Sequence, residues 1–358
     1  MTDESTKSDF RPIGGDEGGG ENAGRQRGPT MTEVALEAKV SQTTVSLVLN
    51  HVKGARFTTE TRRRVFDAAE RLNYRTTRRR NASSGSTQGA IAFIVDEMST
   101  DPWMALAMDG IREKTWEHNI TAYALATGGN CEVEQAVLRQ LASPQFAGLI
   151  YGTINTRRVQ RPPLPRGIPT VLLNCYVADH SLPSIVPAEA LGGQIATRRL
   201  IAAGHRRIGY INGEPWMDAS RDRLKGYRRA LAVADIAFDP ELVRNGNWEP
   251  SSGYEHARAL FALEQPPTAI FCGNDLMALG CYEALKEMGL SIPRDVAVVG
   301  YDDREIARYI HPPLSTVVLP HYEMGLAAAE CLIDLIARPP GAAAQIKVEG
   351  RLVDRESI

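Results

Sequence analysis

Strand-like and helix-like segments alternate through most of this chain, from Gly89 onward. Short apolar runs such as AIAFIVD, AGLIYG and VAVVGYDD are separated by amphipathic stretches such as EVEQAVLRQLAS and LMALGCYEALKEMG. Parallel strands need a crossover between them, which is usually a helix, so this alternation is typical of a parallel sheet covered on both faces. The pattern therefore predicts an α/β region of two doubly wound parallel-sheet lobes over residues 89–358.

Polar residues follow several of these predicted strands. Because the carboxyl ends of parallel strands meet at one edge of a sheet, ligands bind in the cleft outside that edge. Carboxylates and amides hydrogen-bond hydroxyl groups, and an indole covers the apolar face of a sugar ring. Each such residue taken alone is more often a cap or turn residue. Together they predict a site for a small polyhydroxylated molecule, formed by Asp96, Asn174, Arg223 (at the start of a helix), Trp248, Asn274 and Asp302.

The N-terminal part of the chain differs from this region in charge. Residues 30–90 contain 11 Lys and Arg against 5 Asp and Glu, although the whole chain has a formal net charge of -2. A local basic surplus of this kind points to a polyanionic partner for that segment alone. A solvated basic face would give the same surplus.

Residues 30–75 contain three short amphipathic patterns. Thr30 and Glu33 have the spacing of a capping box, Ser41 can cap a second helix, and a third helix follows Thr58. The residues expected in their common core are Val34, Ala35, Ala38, Val45, Val48, Leu49, Val65, Phe66, Ala69 and Leu72. Two helices of an unrelated bundle fit the pattern, but a helix-turn-helix also accounts for the polar outer face of the second helix.

The segments MTEVALEAKVSQTTVSLVLN and TTETRRRVFDAAERLNY, at their fixed spacing, resemble the DNA-binding headpiece of the LacI/GalR family of bacterial transcription regulators. The resemblance implies that double-stranded operator DNA is a partner and that bases are contacted by Gln42, Thr43 and Leu47. It also implies that the phosphate backbone is contacted by Ser41, Thr44, Ser46 and Asn50.

Three departures from the family pattern affect this part of the chain. Lys39 stands where relatives usually have a turn glycine, and a left-handed conformation there costs on the order of 1 kcal/mol. Leu47 replaces what is often an arginine, which favours a thymine methyl over guanine. In the linker, residues 76–88, Ser83 occupies the position of a leucine that wedges into the minor groove in relatives. The linker also contains Arg78, Arg79 and Arg80. These arginines either contact the DNA, in its minor groove or at its phosphates, or belong to a flexible charged linker.

The segments TAIFCGNDLMALG, GLSIPRDVAVVGYDD, PPLSTV and RLVDRES are similar to the effector domain of the same family, whose fold is that of periplasmic sugar-binding proteins. The resemblance implies a homodimer that binds an effector between the two lobes, through the same six residues that the strand ends predict. Met217 and Ala219 replace an Arg and a Thr of purine-responding relatives, and Leu319 replaces a common Gln. A sugar or related polyol is therefore the expected effector.

These observations favour a sequence-specific DNA-binding regulator, expected to be a repressor, over two other classes. The alternative is a cytoplasmic sugar-binding protein with only non-specific DNA contact. A third hypothesis is an enzyme on a doubly wound fold, but the sequence has no Gly-rich phosphate loop, nucleophile elbow or metal-ligand spacing. No catalytic residue, metal or cofactor is therefore expected, and each of the seven histidines is expected at the surface or with a hydrogen-bond partner.

The expected location is the cytoplasm. Residues 1–29 are polar and Gly-rich, which predicts a disordered tail rather than a signal peptide. The five cysteines include no close pair, and no apolar run is long enough to span a membrane.

Overall fold

A computed structural model describes residues 31–42, 44–45, 59–72, 89–143, 145–165, 167–338 and 343–358. The described residues up to Leu72 belong to one compact unit, and those from Gly89 onward belong to a second. The predicted tail, the predicted linker and several predicted DNA contacts lie outside the described residues. Those contacts are Thr43, Ser46, Leu47, Asn50, Arg78, Arg79 and Arg80.

The first unit contains helices α1 (Met31–Glu37) and α2 (Thr59–Arg71). Its core is formed by Val34, Ala35, Ala38, Val45, Val65, Ala68 and Ala69, with Val40 and Leu72 partly buried. The prediction that Phe66 belongs to this core is wrong, because 41% of that residue is exposed. The buried face of α2 follows the helical spacing of residues 65, 68, 69 and 72, and Phe66 lies about 100° around the helix from Val65.

A left-handed turn ends α1. Lys39 has a φ of 52°, which confirms the conformation considered for it from the sequence. In this turn the Val40 amide donates to the Ala35 carbonyl at 3.0 Å. The next helical turn is capped as predicted, since the Thr44 amide donates to Ser41 Oγ at 3.1 Å. The turn and the cap together place the buried side chain of Val45 against α1 and α2.

The second unit alternates strands and helices along the chain. Its first part comprises β1 (Ala90–Val95), α3 (Trp103–Glu117), β2 (Ala122–Ala126), α4 (Cys131–Gln140), β3 (Phe146–Val159), β4 (Thr170–Val177) and β5 (Ser184–Pro187). Its middle part comprises α5 (Glu189–Ala202), β6 (Ile208–Asn212), α6 (Asp218–Val233), β7 (Val243–Asn245), α7 (Pro250–Phe261), β8 (Ala269–Cys272), α8 (Asp275–Glu287), β9 (Ala297–Asp302) and β10 (Ser315–Val318). It closes with α9 (His321–Ala337), β11 (Gln345–Val348) and β12 (Leu352–Val353). None of the described helices is long and apolar enough to cross a membrane.

The strands form two sheets of six, and each sheet is the centre of one lobe. The order in the first lobe is β11-β5-β4-β3-β1-β2, with every pair parallel. The order in the second lobe is β12-β10-β9-β8-β6-β7, in which only the short β12 is antiparallel to its neighbour. The prediction of two doubly wound parallel-sheet lobes is thus confirmed.

Apolar side chains fill both faces of each sheet. In the first lobe, α3 and α9 pack on one face and α4 on the other. In the second lobe, α5 and α6 pack on one face and α7 and α8 on the other. With both faces covered, the strands are almost continuously apolar, as AIAFIV in β1 and AIFC in β8 illustrate.

The chain passes between the two lobes three times. The first passage joins β5 to α5, the second joins β10 to α9, and the third joins β11 to β12. The first two passages end at the residues that begin α5 and α9, Glu189 and His321. Both residues lie at the cleft between the lobes.

Candidate functional site

A cavity of about 350 Å³ lies between the lobes. Five of the six predicted ligand-binding residues line it, namely Asn174, Arg223, Trp248, Asn274 and Asp302. Asp96 is not among the lining residues. Further lining residues come from the loop before α3, the carboxyl-terminal half of β3, the starts of α5 and α9, and the loops that follow β6 and β9.

Asp96 and Asn174 both bind the backbone of β3. The Asp96 carboxylate accepts from the Ile154 amide at 2.8 Å and from Arg157 Nη2 at 2.7 Å. Asn174, whose φ is 58°, donates from Nδ2 to the carbonyls of Thr153 and Ile154, both at 2.9 Å. The register of β3 against β4 shifts between Gly152 and Arg157, and these hydrogen bonds hold the backbone within that irregular stretch. Because the same stretch lines the cavity, Asp96 and Asn174 shape the first-lobe wall.

Arg223 lies deep in the second-lobe wall. The prediction that it begins a helix is wrong, because α6 begins at Asp218 and Arg223 lies in its second turn. The Arg223 side chain is only 3% exposed, and its Nε and Nη2 donate to the two carboxylate oxygens of Glu189 at 2.7 and 2.9 Å. Its Nη1 donates to the Gly273 carbonyl at 2.5 Å, and the guanidinium lies 3.6 Å from the ring centroid of Tyr301.

The charge of Arg223 is balanced by its surroundings. Burial alone would lower its pKa, but the Glu189 carboxylate and the neighbouring Tyr301 and Asp302 outweigh that effect and raise the pKa above its usual value. Arg223 is therefore a fixed cation whose counterion, Glu189, comes from the first passage between the lobes.

Asp302 ends β9 with a φ of 110°, a left-handed conformation that is rare for a residue with a side chain. Its carboxylate oxygens lie 3.8 Å from Arg223 Nη1 and 3.8 Å from Arg304 Nε, beyond hydrogen-bonding distance of both cations. Burial raises the pKa of Asp302 to about 7, although the two arginines act to lower it. Near neutral pH both the charged and the neutral form of this carboxyl group are therefore populated. The group lines the cavity.

Trp248 contributes an aromatic ring to the cavity wall, and contacts of its side chain and backbone hold it in place. Its Nε1 lies 2.9 Å from Met217 Sδ, and its carbonyl accepts from Asn274 Nδ2 at 2.9 Å. The Asn274 Oδ1 also accepts from the Met277 amide at 2.8 Å and so caps α8. A Cβ at Gly213 would lie 1.9 Å from the Trp248 ring, so only glycine leaves room for the indole.

Sequence reasoning missed many of the cavity residues, among them Trp103, Glu189, Arg304 and His321. The strand-end rule that found Asp302 could have been extended two residues to Arg304. The prediction that every histidine is exposed or has a hydrogen-bond partner is wrong for His321. It is 1% exposed, and neither ring nitrogen has a hydrogen-bond partner among the described residues. Its ring stacks on Trp103 at a centroid distance of 5.6 Å.

Carboxyl groups outnumber cations around the cavity. The carboxyl groups are those of Asp101, Glu189, Glu214, Glu249 and Asp302, and the cations are Arg223 and Arg304. Both arginines already form ion pairs with carboxylates of the wall. Such a lining can bind an uncharged molecule with hydroxyl groups and repels an anion. No group of His, Cys, Asp or Glu in the described residues could hold a metal ion.

In the first unit, the described part of the predicted DNA-contacting surface faces solvent. Ser41 and Gln42 are exposed and Thr44 is half-buried. The hydroxyl groups of Ser41 and Thr44 lie 2.9 Å apart. Small polar side chains at a capped helix start can reach phosphates and base edges closely.

Comparisons with known proteins identify both units. Residues 30–77 match the bacterial regulatory proteins of the lacI family, and residues 197–358 match the periplasmic binding protein-like domain. The chain is 33% identical to the ribose operon repressor of Haemophilus influenzae, over 92% of this chain and 98% of that protein. It is 30% identical to the transcriptional repressor PurR of Aliivibrio salmonicida, with the same coverage.

Solved structures agree with this result. A complex of the transcriptional regulator CelR with cellobiose is 29% identical, with a TM-score of 0.62 over 92% of this chain and 99% of that one. A transcriptional regulator of the same family from Rhizobium etli is 32% identical, with a TM-score of 0.68 over 76% of this chain and 99% of that one. These relatives are transcription regulators and not enzymes. The chain belongs to the LacI family of bacterial regulatory proteins.

Proposed function

We propose that this LacI-family repressor acts in the cytoplasm as a homodimer, and that a neutral sugar or related polyol in the cavity controls its affinity for operator DNA. DNA binding and control by a small molecule follow from the family. The observation that carries the choice of a sugar is the cavity lining, in which the Asp302 carboxyl and three indole rings accompany a surplus of carboxylates.

The chemistry of the wall supports an uncharged, hydroxylated effector. The Asp302 carboxylate accepts hydrogen bonds from hydroxyl groups, and the Trp248 indole covers the apolar face of a sugar ring. Two similar proteins have sugars in their names or titles, as a ribose operon repressor and a cellobiose complex. Met217 and Ala219 line the cavity at the positions where an Arg and a Thr are expected in purine-responding relatives.

The proposed DNA contacts are those of the predicted recognition helix and of the linker that follows the headpiece. Gln42, Thr43 and Leu47 contact bases, and the phosphate backbone is contacted by Ser41, Thr44, Ser46, Asn50, Arg78, Arg79 and Arg80. Two headpieces in a homodimer read two half-sites, so the operator is a palindrome.

The effector acts by contacting both lobes. The cavity has walls from both sheets, so a molecule that fills it stabilises one arrangement of the lobes over another. The shift in DNA affinity is limited by the difference between the effector's affinities for the two arrangements. The alternative is a sugar-binding protein with only non-specific DNA contact, and the basic segment and the capped helix at Ser41 argue against it.

Selection of binding sites from a random pool of DNA duplexes, with the purified full chain at near-physiological salt, tests the proposal. We expect enrichment of one palindrome, and a different enriched sequence with Gln42→Ala. Fluorescence anisotropy on the enriched duplex then measures the effect of candidate sugars, with a change in Kd of at least about tenfold expected for the effector. If only salt-sensitive binding without sequence preference were found, the alternative would replace this function.

A further inference from the structure

Two polar contacts join the lobes across the cleft. In the tyrosine contact, the Tyr176 hydroxyl from β4 of the first lobe donates to the Asp218 carboxylate, at the start of α6 in the second lobe, at 2.7 Å. In the arginine contact, Arg304 from the loop after β9 of the second lobe pairs with the Asp101 carboxylate, in the loop before α3 of the first lobe. Each contact joins two parts of the chain, so it can form whether or not the cavity holds a molecule.

The order of the strands places the two contacts on opposite sides of the cavity. In the first sheet β3 lies between β4 and β1, the strands that lead to the tyrosine contact and to the arginine contact. In the second sheet β8 lies in the same way between β6 and β9. In each sheet the strands that lead to the two contacts are therefore about 10 Å apart, or two strand spacings. The cavity lies between them, because its lining includes Thr156 of β3 and Asn274 just after β8.

Both lobes hold the tyrosine contact in place. In the first lobe, the Asp96 carboxylate accepts from the Ile154 amide at 2.8 Å and so anchors the stretch of β3 that leads to its pairing with β4 near Tyr176. In the second lobe, Arg221 pairs with the Asp218 carboxylate, and the start of α6 favours a negative charge there. Burial, together with the hydrogen bond to Asp218, raises the pKa of Tyr176, so the hydroxyl keeps the proton that it donates.

The arginine contact is also held on both sides. The Arg304 backbone amide donates to the Asp275 carboxylate at 2.7 Å, which fixes the loop after β9. The guanidinium lies 5.0 Å from the ring centroid of Trp103, an aromatic neighbour from the first lobe that attracts a cation. Both side chains of the Arg304–Asp101 pair are partly buried. Solvent and salt therefore screen this ion pair less than they screen a pair at the surface.

We propose that the tyrosine and arginine contacts form a double latch that holds the lobes in the arrangement of this structure and thereby sets the affinity for operator DNA before any effector binds. A single contact would leave the lobes free to rotate about it, whereas two contacts on opposite sides of the cavity oppose both opening and twisting. The link to DNA rests on the proposed function, in which the arrangement of the lobes controls operator affinity. An effector that contacts both walls favours the same arrangement as the latch, and so shifts an equilibrium that the latch has already biased.

Two conservative variants each break one contact. Tyr176→Phe removes only a hydroxyl group, and Asp101→Asn removes only a charge, so both are expected to fold. Tyr322→Phe is the matched control, because the Tyr322 hydroxyl donates to the Glu113 carboxylate at the same distance of 2.7 Å but both residues belong to the first lobe. Tyr176 and Asp218 are not among the described residues that line the cavity, so Tyr176→Phe leaves the effector contacts intact.

Hydrogen exchange measured by mass spectrometry on the full chain, without sugar or DNA, tests the latch directly. In Tyr176→Phe we expect exchange at the arginine contact, in peptides covering residues 98–104 and 302–308, to be at least about threefold faster than in the wild type. In Asp101→Asn we expect the same change at the tyrosine contact, in peptides covering residues 174–178 and 214–219. Tyr322→Phe should alter neither contact. Faster exchange confined to the substituted contact, or no change at all, would overturn the proposal.

Operator binding separates this inference from the proposed function. On the enriched duplex without sugar, we expect the Kd of Tyr176→Phe to shift about three- to tenfold, in the direction opposite to the shift that the effector causes in the wild type. A saturating effector should bring the variant to within about twofold of the wild type with effector. A shift in the same direction as that of the effector would sink the latch. If exchange changed at both contacts as expected but ribose, glucose, galactose, cellobiose and myo-inositol left operator binding unchanged, the latch would stand and the proposed effector class would be wrong.

Discussion

Glu189→Gln is expected to lower the free energy of unfolding by about 3 kcal/mol, because it leaves a buried guanidinium without its main counterion. The side chains of Glu189 and Arg223 are 4% and 3% exposed, and two hydrogen bonds of 2.7 and 2.9 Å join them. Glutamine keeps the size of the side chain and one acceptor oxygen. The loss therefore measures the missing charge rather than a new cavity.

The remaining contacts of Arg223 set the size of this effect. Removing one partner of a buried ion pair typically costs about 3–5 kcal/mol. The lower end applies here, since the Gly273 carbonyl still accepts from Nη1 at 2.5 Å and Asp302 lies 3.8 Å away. For a unit of this size, a loss of about 3 kcal/mol corresponds to a decrease in Tm of about 6–12 °C.

Urea unfolding followed by tryptophan fluorescence is the assay. The control is Asp222→Asn on the same helix, which removes the exposed ion pair with Lys225 and is expected to change stability little. A loss below about 1 kcal/mol for Glu189→Gln, or one no larger than that of the control, would refute the reasoning about the buried pair.

Two further predictions concern Asp302 and Lys39. The pKa of Asp302 is raised to about 7 in the folded protein, whereas an unfolded aspartate titrates near about 3.9. Between these values the folded state holds more protons, so stability falls as pH rises, and urea midpoints from pH 5 to 8 should decrease more for the wild type than for Asp302→Asn. Equal decreases would show that Asp302 is not the group responsible. Lys39→Gly relieves a side chain at a φ of 52° and should stabilise the first unit by up to about 1 kcal/mol, seen as slower amide hydrogen exchange in α1. Lys39→Ala keeps the Cβ, and a comparable gain there would contradict this explanation.

The arrangement of the second unit could be predicted from the sequence because strand and helix patterns are local. Continuous apolar runs predict strands covered on both faces, and amphipathic stretches predict the helices that cover them. Both patterns can be recognised without knowing which segments pack against each other. The same logic, with the family resemblance, led to Asn274 and Asp302 at strand ends, and the structure places both at the cavity. It also led to Asp96, whose carboxylate instead binds the backbone of Ile154.

The remainder of the site depends on tertiary structure that no local pattern encodes. Glu189 and His321 reach the cavity because the chain changes lobe at these points. Arg304 meets Asp101 only through the approach of the two lobes. Phe66 shows the same limit in the first unit, because a large apolar residue at the margin of a helix face is buried or exposed according to what packs beside it.

The three passages of the chain between the lobes also determine how the second unit folds. β11 completes the first sheet beside β5, and β12, only a few residues later, completes the second sheet beside β10. One short segment therefore completes the sheets of both lobes. Its strands pair with β5 and β10, which lie far away in the sequence, so these pairings have high contact order. The entropy lost in closing such long loops opposes the pairings until the rest of both sheets has nearly formed. Neither lobe is a contiguous stretch of chain that could complete its sheet independently. We therefore expect the two lobes to unfold as one cooperative unit, and a cleavage within residues 345–353 to destabilise both.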